Sequence, residues 1–323
     1  MRFGQIPPFA TLTLWGKSGQ DVKLAPRCCE NRVDDLPMKD RIDPLIAERA
    51  PWLFEQTPLA ALSRRFLMSL LGYRQTLELG RLYQDWPTDR TMHHVAGLLA
   101  RDVDVSGLEN IPRQGSALIV ANHPTGIADG IMLHHAISPI RPDLFIYANS
   151  DILKILPQFQ SLIAPVEWQV EKRTRAKTRE TMEYTRKAID EGRLGVIFPS
   201  GRLAKRRGLK LHERDWMASA AMIARKFDLP VIPMNIRARN SALFYLFDLI
   251  HPTVRDITLF YETLNKDRQP YRLNIGEPIS PAAMPAKSDE AIEVMKRATL
   301  ALGGRYAPTV SLVQNTRLPS WAR

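Results

Sequence analysis

A histidine and an aspartate six positions apart are the residues of this sequence best suited to catalysis. An apolar run, Ala117–Ala121, ends just before His123, and Asp129 follows after a turn that contains Pro124 and Gly126. A carboxylate that accepts a hydrogen bond from one imidazole nitrogen fixes the tautomer and leaves the other nitrogen free as a general base. On spacing alone, a histidine that is merely hydrogen-bonded within a turn is the better interpretation.

The elements around this pair predict an α/β fold, a mostly parallel twisted sheet flanked by helices and preceded by an N-terminal helical region. Strands are predicted over 117–121, 144–148, 194–198 and 231–236, and helices over 127–137, 175–191 and 215–227. Strands that alternate with helices are typical of crossover units on a parallel sheet. Two later runs, 257–261 and 271–275, predict strands at an edge. His123 is therefore expected at the carboxyl end of a strand, where α/β sheets bind ligands.

Residues 43–100 have a helical pattern with one strongly apolar stripe. The stripe consists of Leu59, Leu62, Phe66 and Leu70, widened by Leu67 and Leu71. Arg64 and Arg65 lie between these apolar residues. The pattern fits an amphipathic helix that rests on anionic lipid, and it also fits a helix packed on the main domain.

The region that contains the histidine resembles a known family. The segment 105–124, VSGLENIPRQGSALIVANHP, is similar to the first block of the glycerolipid acyltransferase superfamily, which includes the lysophosphatidic acid acyltransferases. The resemblance implies a glycerol-3-phosphate acyltransferase-like fold with His123 and Asp129 as the catalytic dyad. The family's usual spacer is four residues, whereas five separate the dyad here. The longer spacer resembles the hemolysin-like and ornithine-lipid branch.

A second block, 195–202 with the sequence GVIFPSGR, resembles the family's acceptor-phosphate motif Phe-Pro-Glu-Gly-Thr-Arg. Ser200 replaces the glutamate, and Arg202 comes one position early. The substrate-binding residues implied by the resemblance are Ser200, Gly201, Arg202, Lys205, Arg206 and, from a looser intermediate block, Arg173. Arginine can hold a phosphate through two hydrogen bonds, which suits an anionic headgroup. Arg207 and Lys210 are instead interpreted as part of a solvated, charged loop.

The resemblance implies an O-acyltransferase of the 1-acylglycerol-3-phosphate O-acyltransferase type, acting in phospholipid or related lipid synthesis. His123 deprotonates an acceptor hydroxyl, which attacks the thioester of an acyl-CoA or an acyl carrier protein, while backbone amides around Gly201 steady the oxyanion. The expected reaction needs no cofactor and no metal. Two alternatives stay open: a non-catalytic lipid- or nucleic-acid-binding homologue, and an acyl hydrolase that uses the same dyad on water.

Composition and charge favour anionic partners. The 323 residues carry 45 Lys plus Arg against 34 Asp plus Glu, a formal charge of +11, which suits an anionic membrane surface or an acyl carrier protein. Nucleic acid is not expected, because the basic run 172–179 lacks interleaved aromatic residues. The neighbouring Cys28 and Cys29 are poorly placed for a disulfide bond, and no apolar run is long enough to span a bilayer. We therefore expect a cytoplasmic protein, peripheral on the inner face of the cell membrane.

The predicted division of the chain has four parts. Residues 1–37 are expected to be disordered, with Met38 as a candidate for the actual start; 38–102 form the helical region, 103–305 the acyltransferase domain and 306–323 a tail. The apolar stretch 241–250 is either core or an acyl-chain entrance. The pairs His93-His94 and His134-His135 are interpreted as helix-surface residues and not as metal ligands, because no acidic partner has ligand spacing.

Overall fold

The computed structural model describes residues 37–99, 103–167, 170–250, 255, 258, 262, 270–304 and 307–312. The helices are α1 Met38–Arg49, α2 Pro58–Leu70, α3 Tyr73–Tyr83, α4 Thr88–Leu99, α5 Ile127–Ile137, α6 Asp151–Ile155, α7 Arg175–Asp190, α8 Ser219–Lys226, α9 Ala242–Ile250 and α10 Ser288–Ala301. The strands are β1 Val103–Ser106, β2 Ala117–Ala121, β3 Phe145–Asn149, β4 Ile163–Val166, β5 Leu194–Ile197, β6 Lys205–Arg207, β7 Lys210–His212, β8 Val231–Arg237, β9 Tyr271–Ile275 and β10 Thr309–Ser311.

A seven-stranded sheet has the order β1-β9-β8-β2-β5-β3-β4. Strands β8, β2, β5, β3 and β4 are parallel to one another, whereas β9 runs antiparallel to β8 and pairs in parallel with β1. The predicted α/β fold with a mostly parallel sheet and an N-terminal helical region is confirmed. A smaller antiparallel sheet has the order β10-β7-β6.

Helices cover both faces of strand β2, which explains why all five of its residues are buried. Ile119 and Ala121 pack into a core shared with α1, α4 and α5. Leu118 and Val120 point the other way and pack with residues of α8 and α10. The alternation follows from the two-residue period of a strand, and it fixes the position at which the chain leaves β2 toward His123.

The observed elements differ from the predicted ones in a few places. Helix α8 begins at Ser219, four residues later than predicted. Strands β1 and β4 were not predicted, because four-residue segments give little periodic signal. The predicted strand 257–261 lies outside the described residues except for Thr258. Residues 1–36, nearly all of the predicted disordered segment, and 313–323 of the predicted tail lie outside them too.

The apolar stripe of α2 divides into a packed part and an exposed part. Thr57 caps the helix by accepting a hydrogen bond from the Ala60 N–H. Leu67 and, just beyond the helix, Leu71 are buried in the core. The exposed side chains are Leu59, Leu62 and Phe66, at 74%, 67% and 64% exposure, and Leu70 at 39%. The helix therefore packs on the core through one edge and exposes the other.

Two further predictions are resolved by burial. In α9, Phe244 and Phe247 are buried while Leu246 and Leu249 are exposed, so this stretch is part core and part surface. The placement of His134 on a helix surface is wrong, since α5 buries it to 5% exposure, and this burial lowers its pKa. Sequence position showed that the residue is helical but not that α4 packs over it.

Candidate active site

The end of β2 brings His123 and Asp129 together. His123 Nδ1 lies 3.0 Å from Asp129 Oδ2, and the aspartate side chain is fully buried. The five-residue spacer closes into a turn in which the N–H groups of Thr125 and Gly126 both donate to Oδ2, at 2.9 and 3.0 Å. Gly126 has φ of 88°, a conformation that favours glycine. The longer spacer is therefore accommodated by a turn that leaves the two side chains in contact.

Two hydroxyl groups hold the other oxygen of Asp129. Thr125 Oγ1 and Tyr271 Oη each donate to Oδ1 at 2.5 Å. Burial alone raises the pKa of this carboxyl, but the contacts with His123, Thr125 and Tyr271 outweigh it and hold the pKa below its ordinary value. Asp129 is thus an ionised, fixed acceptor that can orient the imidazole through Nδ1.

Tyr271 is a member of the site that sequence reasoning did not find. It lies on β9, and contact with it depends on β9 pairing with β8 beside β2. Burial and the nearby Asp129 carboxylate raise the pKa of Tyr271 well above its ordinary value, so its hydroxyl stays a donor. In the sequence, Tyr271 is an aromatic residue of the predicted strand 271–275, and nothing there distinguishes it from a residue of the core.

The segment after β5 packs around His123. The Phe198 ring stacks on the imidazole with 4.3 Å between centroids and 30° between planes. The N–H of Ala204 donates to the His123 carbonyl at 2.9 Å, and the N–H of His123 donates to Glu213 Oε2 at 3.2 Å. The imidazole is therefore held by its ring face, its main chain and its Nδ1 side.

A large cavity of about 1540 Å³ opens beside the histidine. Such a volume exceeds the roughly 300–1,000 Å³ of ordinary small-molecule pockets. His123, Gly126 and Gly130 lie in its wall, and it continues between the sheet and the N-terminal helices, where Ile42, Leu45, Leu79, Met92 and Leu99 line it. The dyad thus stands at the side of a space with mainly aliphatic walls.

Some of the predicted binding residues reach this cavity and others do not. Arg173, Gly201 and Arg202 line it together with His123. The buried Ser200 does not line it and donates instead to the Arg202 carbonyl at 2.9 Å. Lys205 and Arg206 lie on β6, outside the lining, and Arg206 Nε is 3.7 Å from Asp248 Oδ2.

The oxyanion donors expected around Gly201 are not available from Gly201 itself. Its N–H donates to the Phe198 carbonyl at 2.9 Å, because residues 198–201 form a turn with Gly201 at φ of 58°. Cationic side chains that line the cavity and that sequence reasoning missed are Arg49, Lys177, Arg214, Arg225, Lys226 and Arg255. Of these, Lys177 lies in the basic run 172–179, which was considered from the sequence only as a nucleic-acid contact.

In the described part of the chain, no group of three or more His, Cys, Asp or Glu side chains is arranged to hold a metal ion.

The part of the chain that contains His123 and Asp129 matches a known family. Residues 102–237 match the family model Acyltransferase. This segment of the chain is therefore similar to the acyltransferases. The matched range runs from the start of β1 to the end of β8 and so includes the dyad and the turn after β5.

Two similar proteins are named lyso-glycine lipid O-acyltransferase. The protein of Phocaeicola vulgatus is 25% identical over 183 residues, 55% of this chain and 64% of its own length. The protein of Bacteroides thetaiotaomicron is 24% identical over 143 residues, 44% of this chain and 51% of its own length. The alignments therefore span less than two thirds of either relative.

A solved structure, the 1-acyl-sn-glycerophosphate acyltransferase PlsC of Thermotoga maritima, is similar with a TM-score of 0.44 and 18% identity. The match covers 74% of this chain and 94% of that one.

Proposed function

We propose that this protein is an O-acyltransferase that moves a fatty acyl chain from a thioester carrier to the hydroxyl of a lyso-lipid. The observation that carries the proposal is that His123, with Asp129 buried behind it at 3.0 Å, lies in the wall of a large, mainly aliphatic cavity. Such a cavity can hold an apolar chain, and a general base in its wall can act on the group at the end of that chain.

The proposed reaction is a direct transfer. Asp129 accepts from Nδ1 and so keeps Nε2 of His123 unprotonated, ready to take the proton from the acceptor hydroxyl. The acceptor oxygen forms a bond to the thioester carbonyl carbon, the carbon–sulfur bond breaks, and the imidazolium returns its proton to the leaving thiolate. The products are the acylated lipid and the free thiol of CoA or of the acyl carrier protein.

The cavity supports a fatty acyl chain as the group transferred. Burial of each methylene group contributes about 0.8 kcal/mol, so an aliphatic wall that continues from His123 to α1, α3 and α4 stabilises a bound chain along its length. The carrier stays open in this proposal, since the cationic groups Arg173, Lys177 and Arg202 suit the phosphates of CoA and the acidic surface of a carrier protein alike.

For the acceptor we favour an anionic lyso-lipid that carries an amino acid headgroup. Ser200 stands where the family's acceptor-phosphate motif has glutamate, and two relatives are named for a lyso-glycine lipid. The exposed Arg202 lies at the cavity and offers two parallel N–H donors, which fit a carboxylate as well as a phosphate.

The experiment that tests this function is radiolabelled acyl transfer from acyl-CoA and acyl carrier protein to a panel of lyso-lipids. Transfer to at least one acceptor supports the proposal. Release of free fatty acid with every acceptor would make the protein a hydrolase instead, and binding without turnover would make it a non-catalytic homologue.

The same panel tests Arg202. We expect Arg202→Ala to raise the acceptor KM by roughly tenfold or more, since a hydrogen bond between charged groups contributes about 1.5–3 kcal/mol. Arg202→Lys should recover little, because an ammonium group cannot reproduce the two-pronged contact. Arg207→Ala is the matched control, as this exposed arginine of the neighbouring strand does not line the cavity. Equal kinetics for all four proteins on every acceptor would remove Arg202 from the site.

We also propose that the protein works as a peripheral membrane protein on an anionic surface. Among the described helices, none is long and apolar enough to cross a bilayer. Helix α2 exposes Leu59, Leu62 and Phe66, and Arg65 is exposed beside them, while Arg64 stacks over Phe54 at 5.5 Å. Apolar side chains next to arginines are typical of helices that lie in the headgroup region.

Neutralising both arginines of α2 tests this attachment. We expect the Arg64→Gln/Arg65→Gln protein to bind anionic liposomes roughly tenfold or more weakly at low salt, since each charge contributes about 1 kcal/mol near such a surface. Sedimentation with neutral liposomes should change much less. The control is Arg186→Gln/Lys187→Gln, which removes two exposed charges from α7. Failure of the unaltered protein to sediment with anionic liposomes at low salt would contradict the proposed attachment.

A further inference from the structure

The main chain of His123 is held by groups that the proposed reaction does not use. Its carbonyl accepts from Ala204, and its N–H donates to Glu213. Both partners lie in the segment that follows β5, the same segment whose Phe198 ring stacks on the imidazole. The position of the proposed base therefore depends on contacts from a second part of the chain as well as on Asp129.

Glu213 has two N–H donors at its carboxyl group. Oε2 accepts from His123 N at 3.2 Å, and Oε1 accepts from Trp216 Nε1 at 3.0 Å. Trp216 is buried, so the carboxylate is anchored at its far end to the core. Burial raises the pKa of Glu213 by more than the contacts with Trp216, His123 and Ser200 lower it.

Glu213 lies near the second block, 195–202, in which Ser200 replaces the glutamate of the resembled motif. Ser200 is one of the groups that lower the pKa of the Glu213 carboxyl. A carboxylate is thus present beside Ser200 and His123, but it comes from a position 13 residues further along the chain. The local sequence pattern gave no sign of this contact, because Glu213 lies beyond the β6–β7 hairpin.

We infer that Glu213 is a positioning residue for the proposed base: by accepting from the His123 N–H while anchored to Trp216, it fixes the main chain of the histidine so that the ring meets Asp129 on one side and the cavity on the other. This inference rests on the proposed function for its catalytic consequence. That Glu213 holds the histidine through its main chain follows from the hydrogen bonds alone and does not depend on the proposed function.

The substitution Glu213→Gln separates this role from simple space filling. Two N–H donors face the carboxylate, and a glutamine offers one acceptor oxygen and one NH₂ group, so it can satisfy only one of them and turns a donor toward the other. Glu213→Asp keeps the charge but is shorter by one methylene group and cannot span both donors. Asp215→Asn is the matched control, because this exposed carboxylate lies two residues away and pairs with Lys296 at 3.3 Å.

The expected result is a fall in kcat of about 10- to 100-fold for both Glu213 variants, with KM for donor and acceptor within threefold of the unaltered protein, since a small misplacement of a catalytic group has effects of this size. Both variants should keep the circular dichroism spectrum. The Cε1–H NMR signal of His123, assigned by its absence from His123→Ala, should shift in both and stay in place in Asp215→Asn.

Three outcomes would overturn the inference: a folded Glu213 variant with kcat within twofold of the unaltered protein, an unmoved His123 signal, or unfolding of both variants, which would make Glu213 a structural residue. If the unaltered protein transfers no acyl chain, it is the proposed function that fails. The NMR signal of His123 then still decides, without any turnover, whether Glu213 positions the histidine.

Discussion

Replacing His123 by alanine is expected to abolish acyl transfer while the fold is retained. The substitution removes the base that takes the acceptor proton, an effect of roughly 10²–10⁴-fold in kcat for general base catalysis. The strand before it is unaffected, because its five buried residues stay packed between two layers of helices. Circular dichroism should therefore match the unaltered protein.

Asp129→Asn is expected to cause a loss of similar size for a different reason. The asparagine NH₂ group cannot accept from Nδ1, so the imidazole loses the tautomer in which Nε2 is the base. The variant should also be less stable by about 1–3 kcal/mol, because the buried N–H groups of Thr125 and Gly126, which donate to Oδ2, lose their acceptor. Thermal denaturation should then separate it from His123→Ala.

The control for this pair is His93→Ala, which removes an exposed histidine of α4 that does not line the cavity. It should keep full activity and full stability. Turnover by either dyad variant at the rate of the unaltered protein would exclude His123 and Asp129 as the catalytic pair.

Filling the cavity at Gly130 is expected to change the acyl-chain preference without loss of stability. Gly130 lies in α5 and lines the cavity, and a Cβ there meets only Ile146 Cδ1, at 3.8 Å. A leucine side chain fits the helix and extends into the space proposed for the acyl chain. Since each buried methylene contributes about 0.8 kcal/mol, excluding two or three of them lowers kcat/KM for long-chain donors by roughly 10- to 50-fold.

A series of acyl donors of increasing length measures this effect. Gly130→Leu should retain activity with short chains and lose it with long ones. Gly130→Ala should raise the free energy of unfolding by about 0.5–1 kcal/mol with little change in chain preference, because alanine is the better helix former. Gly97→Ala in α4 is the matched control, since a Cβ there meets nothing within 4 Å and the residue does not line the cavity. An unchanged chain-length profile for Gly130→Leu would place the acyl chain elsewhere.

The sequence was sufficient to predict the central strands of the sheet, and its resemblance to the acyltransferases indicated the pairing of His123 with Asp129. Buried parallel strands are continuous apolar runs, so β2, β5 and β8 were recognisable from composition, and the helices between them from their period. His123 and Asp129 could be paired because a strand, a turn and a helix start fix local geometry over a few residues. Both predictions concern residues that are close in the sequence, and the local pattern of residue types is enough to predict such relationships.

The tertiary structure decided the rest of the site. Tyr271 reaches Asp129 only because β9 pairs with β8, and Glu213 reaches His123 only because the chain folds back after the β6–β7 hairpin. The same limit applies to Arg206, which was predicted to bind substrate but pairs with Asp248 away from the cavity. Contacts between distant segments depend on how elements pack, and one sequence does not record that packing in its local pattern.

Helix α2 shows most clearly the difference between what the sequence period determines and what tertiary packing determines. Helical spacing showed that Leu59, Leu62 and Phe66 share a face and that Leu67 lies at its edge. Only packing against the core determines that Leu67 is covered and the other three are exposed. A period identifies which side chains lie together on a helix, whereas the free energy gained by burying them depends on whether another element is present to cover that face.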